Sequence, residues 1–372
     1  MSQPGILLVE PRFKPPIHEG FRPASLGNRE FHAAARKSGI AVPLVIGLER
    51  NGGARSAFQT EIFPPSSPFW PDSILFADRT VKFLLWQKGG VRLTIGGPAE
   101  LAEYFRKAYA PGGSRAFDAE MMARIYERPF TVVAAESGKV APANEPSVKK
   151  GGHLDGCRIG FDAGASDRKV AAVIDGKAVY SEEIIWHPKE HNDPQYHYDG
   201  IMASMKAAAA HMPRVDAIGV SSAGVYVDNR IMVASLFRGV PADLFEKRVK
   251  GLFKEIQKAW NGIPLVVVND GDVTALAGSM SLNDGAVLGI AMGSSEAAGY
   301  VSPDSTLTDW LSELSFCPVD YGSQAPMDEW SRDIGVGSQY FSQQAVIRLA
   351  GPANAVTSPS LTTTRGIPFQ AF

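Results

Sequence analysis

The sequence predicts an α/β chain, and three observations from its second half carry that expectation. Residues 157–161 (CRIGF), 169–174 (KVAAVI) and 178–185 are apolar runs punctuated by Asp175-Gly176, the pattern of a strand meander. Residues 200–212 form a mostly apolar stretch of helical length that leads into 217–221, a short run with the composition of a buried strand. In 243–260 the residues Phe245, Val249, Leu252, Ile256 and Trp260 recur at three- and four-residue steps, one face of an amphipathic helix that Asn261-Gly262-Ile263-Pro264 ends. Residues 265–268 then form a strand that delivers Asn269 and Asp270 to its carboxyl end, where ligands collect in open α/β sheets, and 272–280 restarts a helix.

The first half is less regular. Residues 1–150 are rich in proline and glycine, with a loop at 63–71 (FPPSSPFWP) and a hairpin expected at 81–95, turning at Lys88-Gly89-Gly90. Helices are expected at 99–109 and 118–126. The polar, breaker-rich segment 141–152 (APANEPSVKKGG) reads as a linker. The expected division is therefore 1–150, an α+β region of unassigned role; 151–285, a first lobe; 286–350, part of a second; and 351–372, a disordered tail rich in Pro, Thr and Ser.

Composition narrows the function classes. At 372 residues the chain is long enough for two or three domains, and its net charge of -2 lacks the basic excess that phosphate-backbone binding needs, so no nucleic-acid partner is expected. The apolar stretch near the N-terminus is too short for a signal-peptide core, and no run approaches the roughly 18 residues that span a bilayer, so neither export nor a membrane partner is expected. Cys157 and Cys317 stand far apart without CxxC spacing, which suits a cytoplasmic chain without a cysteine zinc site. His187, His191 and His197 lie close together, but Pro188 and Pro194 interrupt any helix that would align them, and a solvated loop is expected there.

Three glycine-containing turns after strands carry the candidate chemistry. Phosphoryl transfer depends on positioning and charge stabilisation, and needs backbone N–H groups and small residues around the phosphates. In the first turn, 159–166 (IGFDAGAS), Asp162 could hold a hydrated Mg²⁺, while Gly164 and Ser166 let backbone and hydroxyl approach phosphate oxygens. A plain hairpin turn would favour the same residues. In the second, 268–272 (VNDGD), Asp270 has the position of a general base for a hydroxyl, and Asn269 could bond neighbouring hydroxyls; a strand-to-helix turn capped by Asp272 is the alternative. In the third, 289–296 (GIAMGSSE), Gly293, Ser294 and Ser295 could wrap a phosphate, or simply form a hairpin turn.

Taken together, the order and spacing of these turns resemble the ROK family of sugar kinases. In that family a DxGGT phosphate loop precedes an NDAN segment with the catalytic aspartate, a GTG loop and a GE-x-GH sugar motif. Asp162, Gly164 and Ser166 match the first, Asn269 and Asp270 the second, and Gly293 with Ser294 the third. The segment 312–316 (SELSF) aligns with the fourth, and 328–331 (DEWS) is similar to a further sugar-contacting segment. The resemblance implies an actin/hexokinase-like (ribonuclease H-like) two-lobed ATPase fold, here with an additional N-terminal α+β region. It implies ATP and Mg²⁺ as cofactors, a sugar hydroxyl as acceptor, Asp270 as catalytic base, phosphate contacts from Ser295 as well, and sugar contacts from Asn269, Glu313 and Glu329. It leaves room for a homo-oligomer, and equally for a catalytically silent sugar-binding or regulatory protein. The resemblance spans about 155–345; Ala165, Ser295 and Phe316 depart from it, Phe316 replacing a histidine that touches sugar or zinc, and no zinc site is expected. The family continues beyond its sugar motifs whereas this chain ends at Phe372, so a C-terminally shortened member is the expectation.

Overall fold

The computed structural model describes residues 5–148, 152–293 and 295–350. The expected tail and Ser294 lie outside the described residues. Two compact units result: the first takes in the described residues of Met1–Ser147, Met292–Glu296 and Asp309–Ser358, the second those of Val148–Ala291 and Ala297–Thr308. Residues 309–350, expected in a second lobe, thus group with the N-terminal region.

The first unit is built on a four-stranded sheet of order β2-β1-β3-β4, with β1 Val42–Glu49, β2 Arg55–Ile62, β3 Arg92–Gly96 and β4 Thr131–Ala135. Strands β1 and β2 pair antiparallel, as do β1 and β3, while β3 and β4 run parallel. Helices α1 Ala24–Ser38, α2 Trp70–Lys88, α3 Ala99–Ala108 and α4 Ala116–Tyr126 complete its N-terminal part. The hairpin expected at 81–95 does not form. Residues up to Lys88 are helical, and Gly89, at φ 78, ends the helix. Pro71 sits in the first turn of α2, where its missing N–H costs nothing. The apolar face of α2 is obscured in the sequence because Asp78, Arg79 and Lys82 are buried along with Phe76, Val81 and Leu85.

After β5 (Ser147–Val148), the second unit opens with β6 Cys157–Ala163, β7 Asp167–Ile174 and β8 Lys177–Ile185, the expected meander. Then follow α5 Pro194–Ala209, β9 Ala217–Ser222, the hairpin β10 Val225–Val227 and β11 Arg230–Val233, α6 Ala242–Leu244, α7 Leu252–Ala259, β12 Leu265–Asn269 and α8 Asp270–Leu282. The five-stranded sheet has the order β12-β9-β6-β7-β8. Strands β6, β9 and β12 are parallel, and β7 runs antiparallel to both of its neighbours. This is the strand order and polarity of the ribonuclease H-like fold. Its core includes Ile159, Phe161, Trp186, Met205, Val220, Phe253 and Val267. The single helix expected over 243–260 is interrupted by a π-helical segment, Phe245–Val249, which keeps Phe245, Val249, Leu252 and Ile256 all buried.

The chain continues through β13 Val287–Met292, β14 Glu296–Val301 and β15 Leu307–Thr308, and ends its described course in α9 Gln343–Ala350. Val273 and Leu276 of α8 pack with Val301 and Leu307 in a second, smaller cluster. Among the described residues no helix is long and apolar enough to cross a membrane. Both cysteines are free and buried.

Candidate functional site

Parallel strands place their carboxyl ends on one edge, and register decides which side chains meet there. Asp162 on β6 is paired with Ser221 on β9, and Ser222 with Asn269 on β12. Asp270 follows immediately as the first residue of α8. The edge therefore gathers Asp162, Ser221, Ser222 and Asn269 from three strands that are distant in sequence, with Asp270 at the start of the helix that follows.

Each of these groups is locally held. The Asn269 side chain caps α8, its Oδ1 accepting the Gly271 N–H at 2.8 Å while its Nδ2 donates to the Gly224 carbonyl at 2.7 Å. The cap is thus Asn269 and not Asp272, and its amide, expected to meet sugar hydroxyls, already serves the fold. Gly271 allows close approach: a Cβ there would fall on the Ala298 carbonyl of β14. Asp270 Oδ1 accepts the Gly271 N–H at 3.1 Å. In the first turn, the Gly164 carbonyl accepts Trp186 Nε1–H at 2.9 Å, and the Ser166 hydroxyl donates to Asp167 at 3.0 Å.

The electrostatics are those of two acids forced together. Burial, and then the Asp162 charge, push the Asp270 carboxyl up to about 6. Asp162 is also raised, chiefly by burial, against the pull of the Ser221 hydroxyl and the Lys169 ammonium. Lys169 sits opposite Asp162 on β7 and pairs with Asp167 and, at 3.8 Å, with Glu183. Ser221 and Lys169 were not identified from the sequence, because only strand register brings them to Asp162. Two half-buried carboxylates, both raised by loss of solvent and one of them also by the other's charge, suit a divalent cation, directly or through water. Among the described residues no group of three or more His, Cys, Asp or Glu side chains is arranged to hold one.

The remaining expected residues belong to the first unit. The Gly293 N–H donates to the Ser295 carbonyl at 3.0 Å, closing the third turn, and the Gly293 carbonyl accepts the Gln343 N–H at 2.9 Å. Glu296, given no role from the sequence, is buried with Oε2 unpartnered, and burial pushes it up to about 7. Glu313 precedes the turn Leu314–Phe316, and its N–H donates to the Trp86 carbonyl at 3.0 Å. Phe316 is buried against Trp86, with ring centroids 4.2 Å apart. Glu329 is exposed.

The histidine segment is the expected solvated loop only up to Asp193, and His197 lies beyond it. His187 is exposed, but His197 is fully buried on α5, its Nε2 2.9 Å from the Pro188 carbonyl, and burial lowers its pKa. His191 stacks on Tyr196 at 3.5 Å. A cavity of about 210 Å³ in the first unit, lined by residues including His32, Phe76, Arg79 and Tyr321, holds none of the expected site residues.

No protein-family model matches the sequence, and no curated protein matches it. Solved structures do show similarity. A ROK hexokinase from Thermus thermophilus is 17% identical, over 54% of this chain and 64% of that one, with a TM-score of 0.41. A ROK family transcriptional regulator, a homologue of the E. coli MLC protein, is 18% identical over 73% of this chain and 63% of its own, with a TM-score of 0.44. A Listeria monocytogenes protein described as a putative N-acetylmannosamine kinase is 21% identical over 41% and 49%, with a TM-score of 0.32. The chain spans less than two thirds of the length of each of these three. Likeness at this level concerns the course of the chain and not its chemistry.

Proposed function

We propose that the chain transfers the γ-phosphoryl group of ATP to a sugar hydroxyl, with Asp270 as general base. The observation that carries this reading is the half-buried Asp162 and Asp270 pair at the carboxyl edge of the ribonuclease H-like sheet. A base poised near neutrality takes a hydroxyl proton more readily than an ordinary carboxylate would. In the step, the Asp270 carboxylate accepts the proton as the sugar oxygen bonds to the γ-phosphorus. The bond from that phosphorus to the bridging oxygen breaks, and ADP leaves. Asp162 would hold Mg²⁺ through water, and that ion would offset charge on the phosphates. The backbone at Gly164 and the Ser166 hydroxyl would face phosphate oxygens, as would the backbone at Gly293 and Ser295. Glu313 and Glu329 would orient the sugar. Two buried, free cysteines suit a reducing cytoplasm.

A catalytically silent sugar-binding or regulatory protein is the second reading. The commitment of the Asn269 amide to the α8 cap and the Gly224 carbonyl favours it, because that amide was to have met the acceptor. Sugar-dependent ADP release over a panel of hexoses separates the readings. Release with one sugar supports phosphotransfer; binding without release supports the silent module; release without any sugar overturns the sugar as acceptor.

A further inference from the structure

The loop after Met327 is an exposed tip between two anchored acids, the buried Asp328 and the half-buried Asp333. At its start the Asp328 carboxylate accepts the Ser331 N–H and hydroxyl at 2.7 and 2.8 Å and the Ser338 hydroxyl at 3.1 Å. Near its end, Asp333 accepts from Arg79 Nη1 at 2.8 Å and Arg115 Nη1 at 2.6 Å, with Lys82 Nζ at 3.3 Å. Arg79 Nη2 also donates to the Ile334 carbonyl at 2.7 Å. Between these anchors Glu329, Trp330 and Arg332 are exposed, and Arg332 is held at φ 58. A long L side chain enters that left-handed region only where its surroundings impose it.

The seat of Asp333 is specific. Arg115 also pairs with Asp78, and Lys82 also donates to Asp118 at 2.8 Å. Asp333 is the carboxylate that all three cations share. The tip also leans on the turn that follows Glu313: the Trp330 ring meets Phe316 edge-on at 5.6 Å and Phe117 at 5.9 Å.

We propose that Asp333 is the positioning residue of a substrate loop, its carboxylate seated among Arg79, Lys82 and Arg115 so that Glu329 and Trp330 are presented in fixed geometry. Three side chains of the N-terminal region, Arg79, Lys82 and Arg115, then supply that cationic seat. The identity of the ligand as a sugar rests on the phosphotransfer reading; the anchoring does not.

The test is Asp333→Gly, which opens a carboxylate-sized gap among the three cations, measured with and without added formate. With the hexose that the wild type turns over fastest, KM should rise about tenfold or more while kcat falls less than about threefold, and formate should restore KM. Asp333→Asn, which keeps the shape, should give a smaller rise without a formate response and covers the case in which the glycine variant does not fold. Unchanged KM in either folded variant, or kcat and KM effects that formate leaves alone in Asp333→Gly, would overturn the proposal. If the wild type turns over no hexose, the phosphotransfer reading falls by itself, and amide hydrogen exchange across 329–332 decides the anchor. Faster exchange in Asp333→Gly that formate reverses supports it; exchange equal to wild type sinks it.

Discussion

The two units bury acids in opposite ways. In the first, Asp78, Asp118 and Asp333 lie among Arg79, Lys82 and Arg115. Burial alone would raise Asp333, but the charges of Arg79, Arg115 and Lys82 overcome it and hold the carboxyl well below the usual carboxylate range. In the second unit Asp162 and Asp270 lie half-buried with the charge of one felt by the other, and Asp270 is pushed up to about 6. A buried acid with its cations is finished structure. A buried acid beside another acid is strained toward a proton or a cation that a ligand would bring.

The largest way to break this contrast is Asp270→Asn. If Asp270 is the base, phosphoryl transfer should fall by about 10² to 10⁴ while sugar affinity is kept, read by ADP release and calorimetry. Turnover equal to wild type would remove the base assignment. The counterpart in the first unit is Lys82→Met, which leaves Asp118 buried without its ammonium; unfolding by denaturant should show a loss of about 3 to 5 kcal/mol.

The pH dependence should differ in sign. Asp270 has a raised folded pKa, so the folded state holds its proton longer than the unfolded state between about 4 and 6. Its cost to stability is therefore full above pH 6 and relieved as pH falls, and Asp270→Asn should stabilise the protein by at most about 3 kcal/mol at pH 8 and hardly at all at pH 4. Asp333, with its pKa depressed, contributes stability that is present above about pH 4 and lost as pH falls below it. From pH 4 to 8 the loss caused by Asp333→Asn should therefore stay nearly constant while the gain from Asp270→Asn grows and levels off above about pH 6; denaturant midpoints of both variants over that range check this. The smallest effect expected is Asn269→Ala, about 1 kcal/mol from loss of the α8 cap. A loss several times larger would mean that the bond to Gly224 also holds the edge together.

The second unit was largely legible in the sequence because its strands are apolar and its turns, such as Asp175-Gly176, carry residues suited to positive φ. Asp162 and Asp270 were found for the same reason, each standing at the end of such a strand. Ser221 and Lys169 were not, since their relation to Asp162 exists only through register between strands. In the first unit, α2 was misread as a hairpin because Asp78, Arg79 and Lys82 occupy buried positions that periodicity assigns to apolar residues. Their partners lie far off: Arg79 and Asp333 are 254 positions apart. No local pattern encodes such a pairing, so the grouping of 309–350 with the N-terminal region was equally hidden.

That separation has a consequence for synthesis. As the polypeptide leaves the ribosome, Arg79 and Lys82 emerge long before Asp333 does, and α2 must wait with charges that its final surroundings will bury. The first unit can close only after residues 148–308 have been made, a late, long-range event that should make its refolding slow.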